Sequence, residues 1–193
     1  MARPRTMTDE AISRAARDVF VEHGPHASVS LVAEQLGVTP AALFARVGSK
    51  DELLLFALAP GRPAVADRLA ESPPPSDARP ALVEILGELM VFFQRVLPNL
   101  IVLRAAGHTM ADLPPRNEAP PPLALRWALA RWLERASEMG SLPNVRSWAM
   151  SEALLGAMEA RCFNAYVGGA AFAPATDRAF VRELVDGLFG AAS

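Results

Sequence analysis

Thiol and imidazole chemistry in this chain rests on a single cysteine, Cys162, and on His23, His26 and His108. A lone cysteine forms neither an intramolecular disulfide nor a thiolate cage. The histidines show no paired helical spacing that would hold a metal, so no metal site and no cofactor are expected. No glycine-rich phosphate loop and no nucleophile elbow occurs. Many carboxylates stand beside arginines, as in Arg131, Glu134, Arg135 and Glu138, which reads as a solvated helix face. An enzyme is therefore not expected. Cys162 falls at helical spacing with Trp148, Leu155 and Met158, the pattern of a small core residue. What remains for function is a set of hydroxyls at helix starts and a few cations: Ser28, Thr39, Arg46 and the run Ser49-Lys50-Asp51-Glu52.

These groups need helices to hold them, and the composition favours helix. Apolar residues are 51% of the 193 and charged residues 21%, which excludes a disordered chain and gives enough apolar surface for a core. The prolines cluster at Pro60/Pro63, Pro73–Pro75, Pro98, Pro114/Pro115, Pro120–Pro122, Pro143 and Pro174, and between them apolar residues recur at helical spacing. The pattern predicts helices over 9–23, 29–36, 40–47 and from 50 onward. Thr8 caps the first, and Ile12, Ala15, Ala16, Val19 and Phe20 form its apolar stripe. Gly24 can supply its stop. Ser28 caps the second, and Gly37-Val38 turns the chain. Thr39 precedes Pro40, which fits the first turn of a helix because its missing N–H costs nothing there. Ser49 and Glu52 make a capping box. Later helices are predicted at 78–97, 99–110, 121–139, 144–167 and 176–189. The longest uncharged run, 162–176, is broken by Gly168-Gly169 and Pro174, so no membrane helix is expected there. The N-terminus turns acidic where a signal peptide needs its apolar stretch, and a cytoplasmic location is expected.

Two short helices joined by a glycine-containing turn follow the helix-turn-helix plan. Val32 and Ala33 would pack inward from one helix, and Val38, Leu43 and Val47 from the turn and the next. The outer face of the second helix would then be free to enter a major groove. The local sequence is more specific than the plan. In order it carries Ala15-Ala16, Phe20, Gly24, Val32-Ala33, Gly37-Val38-Thr39, Leu43-Phe44, Val47 and Ser49-Lys50-Asp51. Over residues 8–57 it resembles the N-terminal domain of the TetR family of bacterial transcriptional repressors.

That resemblance implies an all-α chain. Residues 1–57 would be a three-helix helix-turn-helix domain, and 58–193 a helical bundle for effector binding and dimerisation. It implies a ligand-responsive repressor that binds a near-palindromic operator in double-stranded DNA as a homodimer, and that an apolar small molecule releases. The alternative is a helical small-molecule or lipid-binding dimer without DNA binding. The implied DNA-contacting residues are Ser28, Ser30, Thr39, Pro40, Ala41, Ala42, Phe44, Arg46 and Lys50. Phe44 stands where the family has an aromatic hydroxyl, so a phosphate hydrogen bond is lost there. Arg46 stands where histidine is frequent, and as a permanent cation it can reach a phosphate. Lys50 is the only lysine in the chain. Net charge is −2 overall, and residues 1–50 hold six Lys/Arg against five Asp/Glu. Affinity must then come from placement rather than excess charge. Arg3 and Arg5 read as a solvated tail, with a groove-reaching arm as the alternative.

Beyond residue 60 the sequence carries no specific motif. The resemblance places an apolar pocket there, with Met90, Phe93, Gln94, Leu97, Leu103, Trp148 and Met158 as candidate walls. Trp127 and His108 are expected at the surface and at a helix end. In the 144–167 segment, Trp148, Ser151, Leu155, Met158, Cys162 and Tyr166 form one stripe. Ala149, Ala153, Gly156, Ala160 and Val167 form another on the opposite side. One stripe should meet the chain's own core and the other a second copy, through the last two helices. No membrane partner is expected.

Overall fold

The computed structural model describes residues 7–61, 63–113, 121–169 and 176–190. All regular structure among them is helical. The chain divides into two compact units. One runs to Pro60 and resumes at Pro98 through Leu113; the other takes Gly61–Leu97 and the rest. Arg3 and Arg5 lie outside the described residues.

The first unit opens with α1 (Asp9–His23), α2 (Val29–Leu36), α3 (Pro40–Val47) and α4 (Lys50–Leu58). Each begins where a side chain satisfies the orphan backbone donors of its first turn. Thr8 accepts from the Ala11 N–H at 3.2 Å, Ser28 from Ser30 at 3.2 Å and Thr39 from Ala42 at 3.2 Å. At α4 the box is complete: Glu52 N–H donates to Ser49 Oγ at 3.1 Å, and Ser49 N–H donates to Glu52 Oε2 at 2.7 Å. Gly37 ends α2 in the left-handed region at φ 70°, ψ 32°. Its N–H reaches the Glu34 carbonyl and the Val38 N–H reaches that of Ala33, a Schellman closure that fixes the turn.

Ile12, Ala16 and Phe20 of α1 are fully buried with Val32 of α2, Leu43 of α3 and Leu53 and Leu58 of α4. Val38 and Val47 pack against this core, as the turn pattern predicts. Val102 and Leu103 join it as well, so residues well beyond 57 belong to this unit. Arg17 ties α1 to the end of α4 by donating to the Ala57 carbonyl at 3.1 Å.

The second unit contains α5 (Val65–Glu71), the start of α6 (Ala78–Ala105), α7 (Pro121–Glu138), α8 (Ser147–Gly168) and α9 (Asp177–Phe189). Helix α5 is absent from the sequence reading, which takes the flanking prolines as loop. Yet Pro63 precedes the helix, where its missing N–H is harmless, and Val65, Ala66 and Leu69 are buried. Arg135 of α7 closes its end by donating to the Leu69 carbonyl at 2.7 Å.

The two helices predicted over 78–110 are one helix, α6, with Pro98 inside it. An internal proline costs about 3 kcal/mol. Burial of Leu89, Met90, Phe93 and Val96 before it, and of Val102 and Leu103 after it, outweighs that cost at about 1.5–3 kcal/mol per side chain. By length and composition α6 could cross a membrane, but half of its most apolar window is buried against the protein, as in a core helix. A short 3-10 turn at Met110–Asp112 follows it.

Gly37 and Gly48, two of the first unit's glycines at backbone angles that side chains avoid, have different surroundings. A Cβ on Gly37 meets open space, whereas one on Gly48, at φ 83°, collides with the Glu52 carboxylate of the capping box. Gly37→Ala should therefore cost about 1 kcal/mol of unfolding free energy. Gly48→Ala should cost about 2 kcal/mol, because the box is lost as well. Urea unfolding measures both; equal costs would mean that the Glu52 side chain swings aside and the box is dispensable.

Candidate nucleic-acid interface

Helix α3 is held by one fully buried side chain, Leu43. Val47 is half-buried against the same core, and the other side chains of the helix are exposed. Thr39, Pro40, Ala41, Ala42, Ala45 and Arg46 are exposed, and Phe44 is 37% exposed, at the rim of the unit rather than in its core. Ser28 and Ser30 are exposed at the start of α2. The structure thus brings the starts of α2 and α3 and the outer face of α3 onto the surface of the first unit. A helix start carries partial positive charge and unpaired N–H groups, which suit phosphate oxygens. The α3 face itself is nearly all methyl and ring surface. Its polar groups are the Thr39 hydroxyl, already used as a cap, and Arg46.

The two cations of the region are not idle. Arg46 Nη2 donates to Asp9 Oδ1 at 2.7 Å, joining the last turn of α3 to the first turn of α1. Lys50 is half-buried, with Nζ 5.9 Å from the centre of the Phe20 ring, a cation–π approach at the start of α4. Asp9 is an acidic residue in the first turn of α1, at the positive end of the helix dipole. Its partnership with Arg46 spans 37 residues and leaves no periodic signal. Asp9 also borders a shallow hollow shared with Ser13, Arg14, Arg17 and Phe56. A second hollow of about 360 Å³ lies between α1 and α2, lined by Met7, Arg14, Asp18 and Gln35 among others. His108 follows α6, with Nε2 3.9 Å from Asp51 Oδ1, beyond hydrogen-bond length.

The residues expected to wall a pocket divide between the units. Met90, Phe93 and Met158 are buried in the second, and Leu97 is half-buried at its boundary. Gln94 is exposed and donates to Asp177 Oδ2 at 2.6 Å. Leu103 instead packs in the core of the first unit. Trp148 is 46% exposed, so its expected place on the core stripe of α8 is corrected. It meets Trp127 edge to face, with ring centres 6.4 Å apart. Tyr166, expected on the same stripe, is also exposed, and Leu154 is buried in addition to the inner residues of that stripe. Trp127 therefore packs on Trp148 at the surface. Cys162 is buried, with Sγ 3.3 Å from Met90 Sδ. Burial, with the Asp177 carboxylate adding to it, pushes its thiol up to about 11, so it is protonated at neutral pH. A described hollow of about 210 Å³ in this unit is lined by Arg68, Ser72, Ala81, Glu84, Ile85 and Trp132. Among the described residues no cluster of His, Cys, Asp and Glu could hold a metal.

Residues 12–56 match the sequence model of bacterial regulatory proteins of the tetR family. No curated protein matches the chain. Among solved structures, the chain is similar to PfmR, a TetR family transcriptional regulator from Thermus thermophilus. The identity is 22%, with 97% of this chain and 98% of that one covered, and the TM-score is 0.67. SmeT, the repressor of the Stenotrophomonas maltophilia multidrug efflux pump SmeDEF, is 15% identical over 97% of this chain and 92% of its own, with a TM-score of 0.67. FadR from Bacillus subtilis, solved with stearoyl-CoA, is 15% identical over 96% of this chain and all of its own, with a TM-score of 0.64. At these identities the likeness is one of fold. Residues 12–56 thus carry the sequence pattern of the tetR family of bacterial regulatory proteins, within a chain whose all-helical fold is like that of these solved regulators.

Proposed function

We propose that the first unit binds duplex DNA, with α3 in the major groove, and that the chain acts as a non-enzymatic, ligand-released repressor. The observation that carries this reading is the outward face of α3. A short helix is pinned by Leu43, capped by Thr39 and left bare from Thr39 to Arg46. Ser28, Ser30, Thr39 and Lys50, with nearby backbone N–H groups, would bind phosphates. Pro40, Ala41, Ala42 and Phe44 would lie against base edges. Those four offer almost no hydrogen bonds, so sequence would be read through thymine methyl groups and DNA shape.

The effector would be apolar. Met90, Phe93 and Met158 supply apolar surface inside the second unit. The fold neighbour solved with stearoyl-CoA supports a long apolar ligand. The reading as a small-molecule or lipid-binding dimer without DNA binding draws on Phe44 and on the pairing of Arg46 with Asp9.

A homodimer would be built on α8 and α9. On α8, Ala149, Ala153, Ala160, Phe163 and Val167 are exposed and Gly156 is half-exposed, opposite the buried Ser151, Leu155, Met158 and Cys162. Leu188 is exposed on α9. Small side chains at 149, 153, 156 and 160 would let a partner helix approach closely. A regulator of this kind would work in the cytoplasm.

Three measurements test the reading. Duplexes selected by the wild-type protein from a random-sequence library should be bound in a salt-dependent way. Lys50→Ala should weaken binding to every sequence and reduce the salt slope by about one unit. Selection of no duplex would favour the ligand-binding reading instead. Replacing thymine by uracil within the half-sites should weaken binding several-fold, on the order of 1 kcal/mol per lost contact; unchanged affinity would remove methyl readout. Sedimentation should show a dimer at micromolar concentration. Gly156→Glu with Ala160→Arg should give a folded monomer, since the pair suits a helix at this spacing and a side chain at 156 meets open space. A wild-type monomer would end the paired half-site reading.

A further inference from the structure

We propose that Asp9 is a built-in competitor for the DNA phosphate that Arg46 would contact, and that it sets how tightly the first unit holds duplex DNA. The inference rests on the DNA reading above and adds a residue to it. Arg46 is the one charged residue of α3, whose sequence is PAALFARV. Its guanidinium is taken by the Asp9 carboxylate at 2.7 Å. Of the two arginines on α1 near Asp9, Arg17 is committed to Ser13 Oγ and the Ala57 carbonyl, and Arg14, like Arg17, belongs to α1 rather than to the outward helix. Whether Arg46 is available therefore decides whether α3 itself presents a positive charge.

Exposure makes the exchange feasible. The two side chains are 53% and 62% exposed, so water and a phosphate reach both. An exposed ion pair is weak, and a phosphate offers the same anionic oxygens with a higher charge density around it. When Arg46 turns to a phosphate, Asp9 is left facing the polyanion from the first turn of α1, beside Glu10. The protein loses the internal pair and gains a repulsion, and both reduce affinity. A carboxylate that merely braced α3 against α1 would act in the opposite direction, because its removal would loosen the helix that enters the groove.

Duplex selected from a random library by the wild-type protein serves as the probe, with binding measured across a range of salt. Asp9→Asn should tighten binding about fivefold per half-site and steepen the salt slope by about one unit. Glu10→Gln, which removes the same charge one residue further on, should gain less. Arg46→Gln should weaken binding, and Asp9→Asn added to it should gain no more than Glu10→Gln does. The Thr8 cap is untouched in all of these, and thermal unfolding checks that each variant stays folded. Weaker binding by Asp9→Asn would overturn the proposal in favour of a brace. A full gain in the Arg46→Gln background would overturn it in favour of a diffuse field. Both outcomes leave the DNA reading standing, whereas a wild-type protein that selects no duplex removes that reading and the proposal together.

Discussion

An eight-residue helix does not hold itself together in water, because nucleation costs more than so few hydrogen bonds return. Everything about the first unit follows from that constraint on α3. The helix must leave most of its surface bare, so it can spend only Leu43 on the core, with Val47 at the margin. Its remaining stability is supplied at the ends: Thr39 at the start, the Schellman closure at Gly37 ahead of it, and the Gly48 turn into the Ser49–Glu52 box behind it. Those end devices are short-range, and each depends on one residue type. The apolar residues of α1 and α4 form the platform on which they stand.

The bare face that results is unusual in its chemistry rather than its geometry. Methyl groups and the Phe44 ring dominate it, and charge is sparse. A surface of that kind would bind a polyanion through where its few cations and helix starts point, since there is no broad positive field to supply affinity. Under that condition a single carboxylate matters. Asp9 stabilises the start of α1 through the helix dipole and also takes the guanidinium of Arg46.

The second unit obeys a different constraint: α8 is apolar on more than one side. On α8 the inner face is buried with Ser151, whose hydroxyl donates to the Arg126 carbonyl at 2.8 Å. The opposite face ends in Phe163 and Val167, the latter 66% exposed. Arg126 lies between Glu152 and Glu159, at 2.8 and 2.9 Å, so charge pairs α7 with α8 along one edge while the apolar face stays open.

The local devices of the first unit were legible in the sequence because they are local. Caps, the capping box, the glycine turn and the apolar stripe of α1 depend on residues within four positions of each other, and a linear string displays such spacings directly. The inward placing of Val32, Ala33 and Leu43 follows from the same periodicity. Tertiary structure decided what depends on distant partners. Pro98 reads as a break, yet α6 continues through it because burial on both sides outweighs one lost hydrogen bond and a steric clash. Helix α5 is too short to show a period and exists because α7 covers it and Arg135 closes its end. Trp148 has the spacing of a core residue but lies at the outer end of its stripe, where Trp127 partly covers it. The meeting of Asp9 with Arg46 required α1 and α3 to be folded onto one core, and no rule of sequence spacing reaches across that interval.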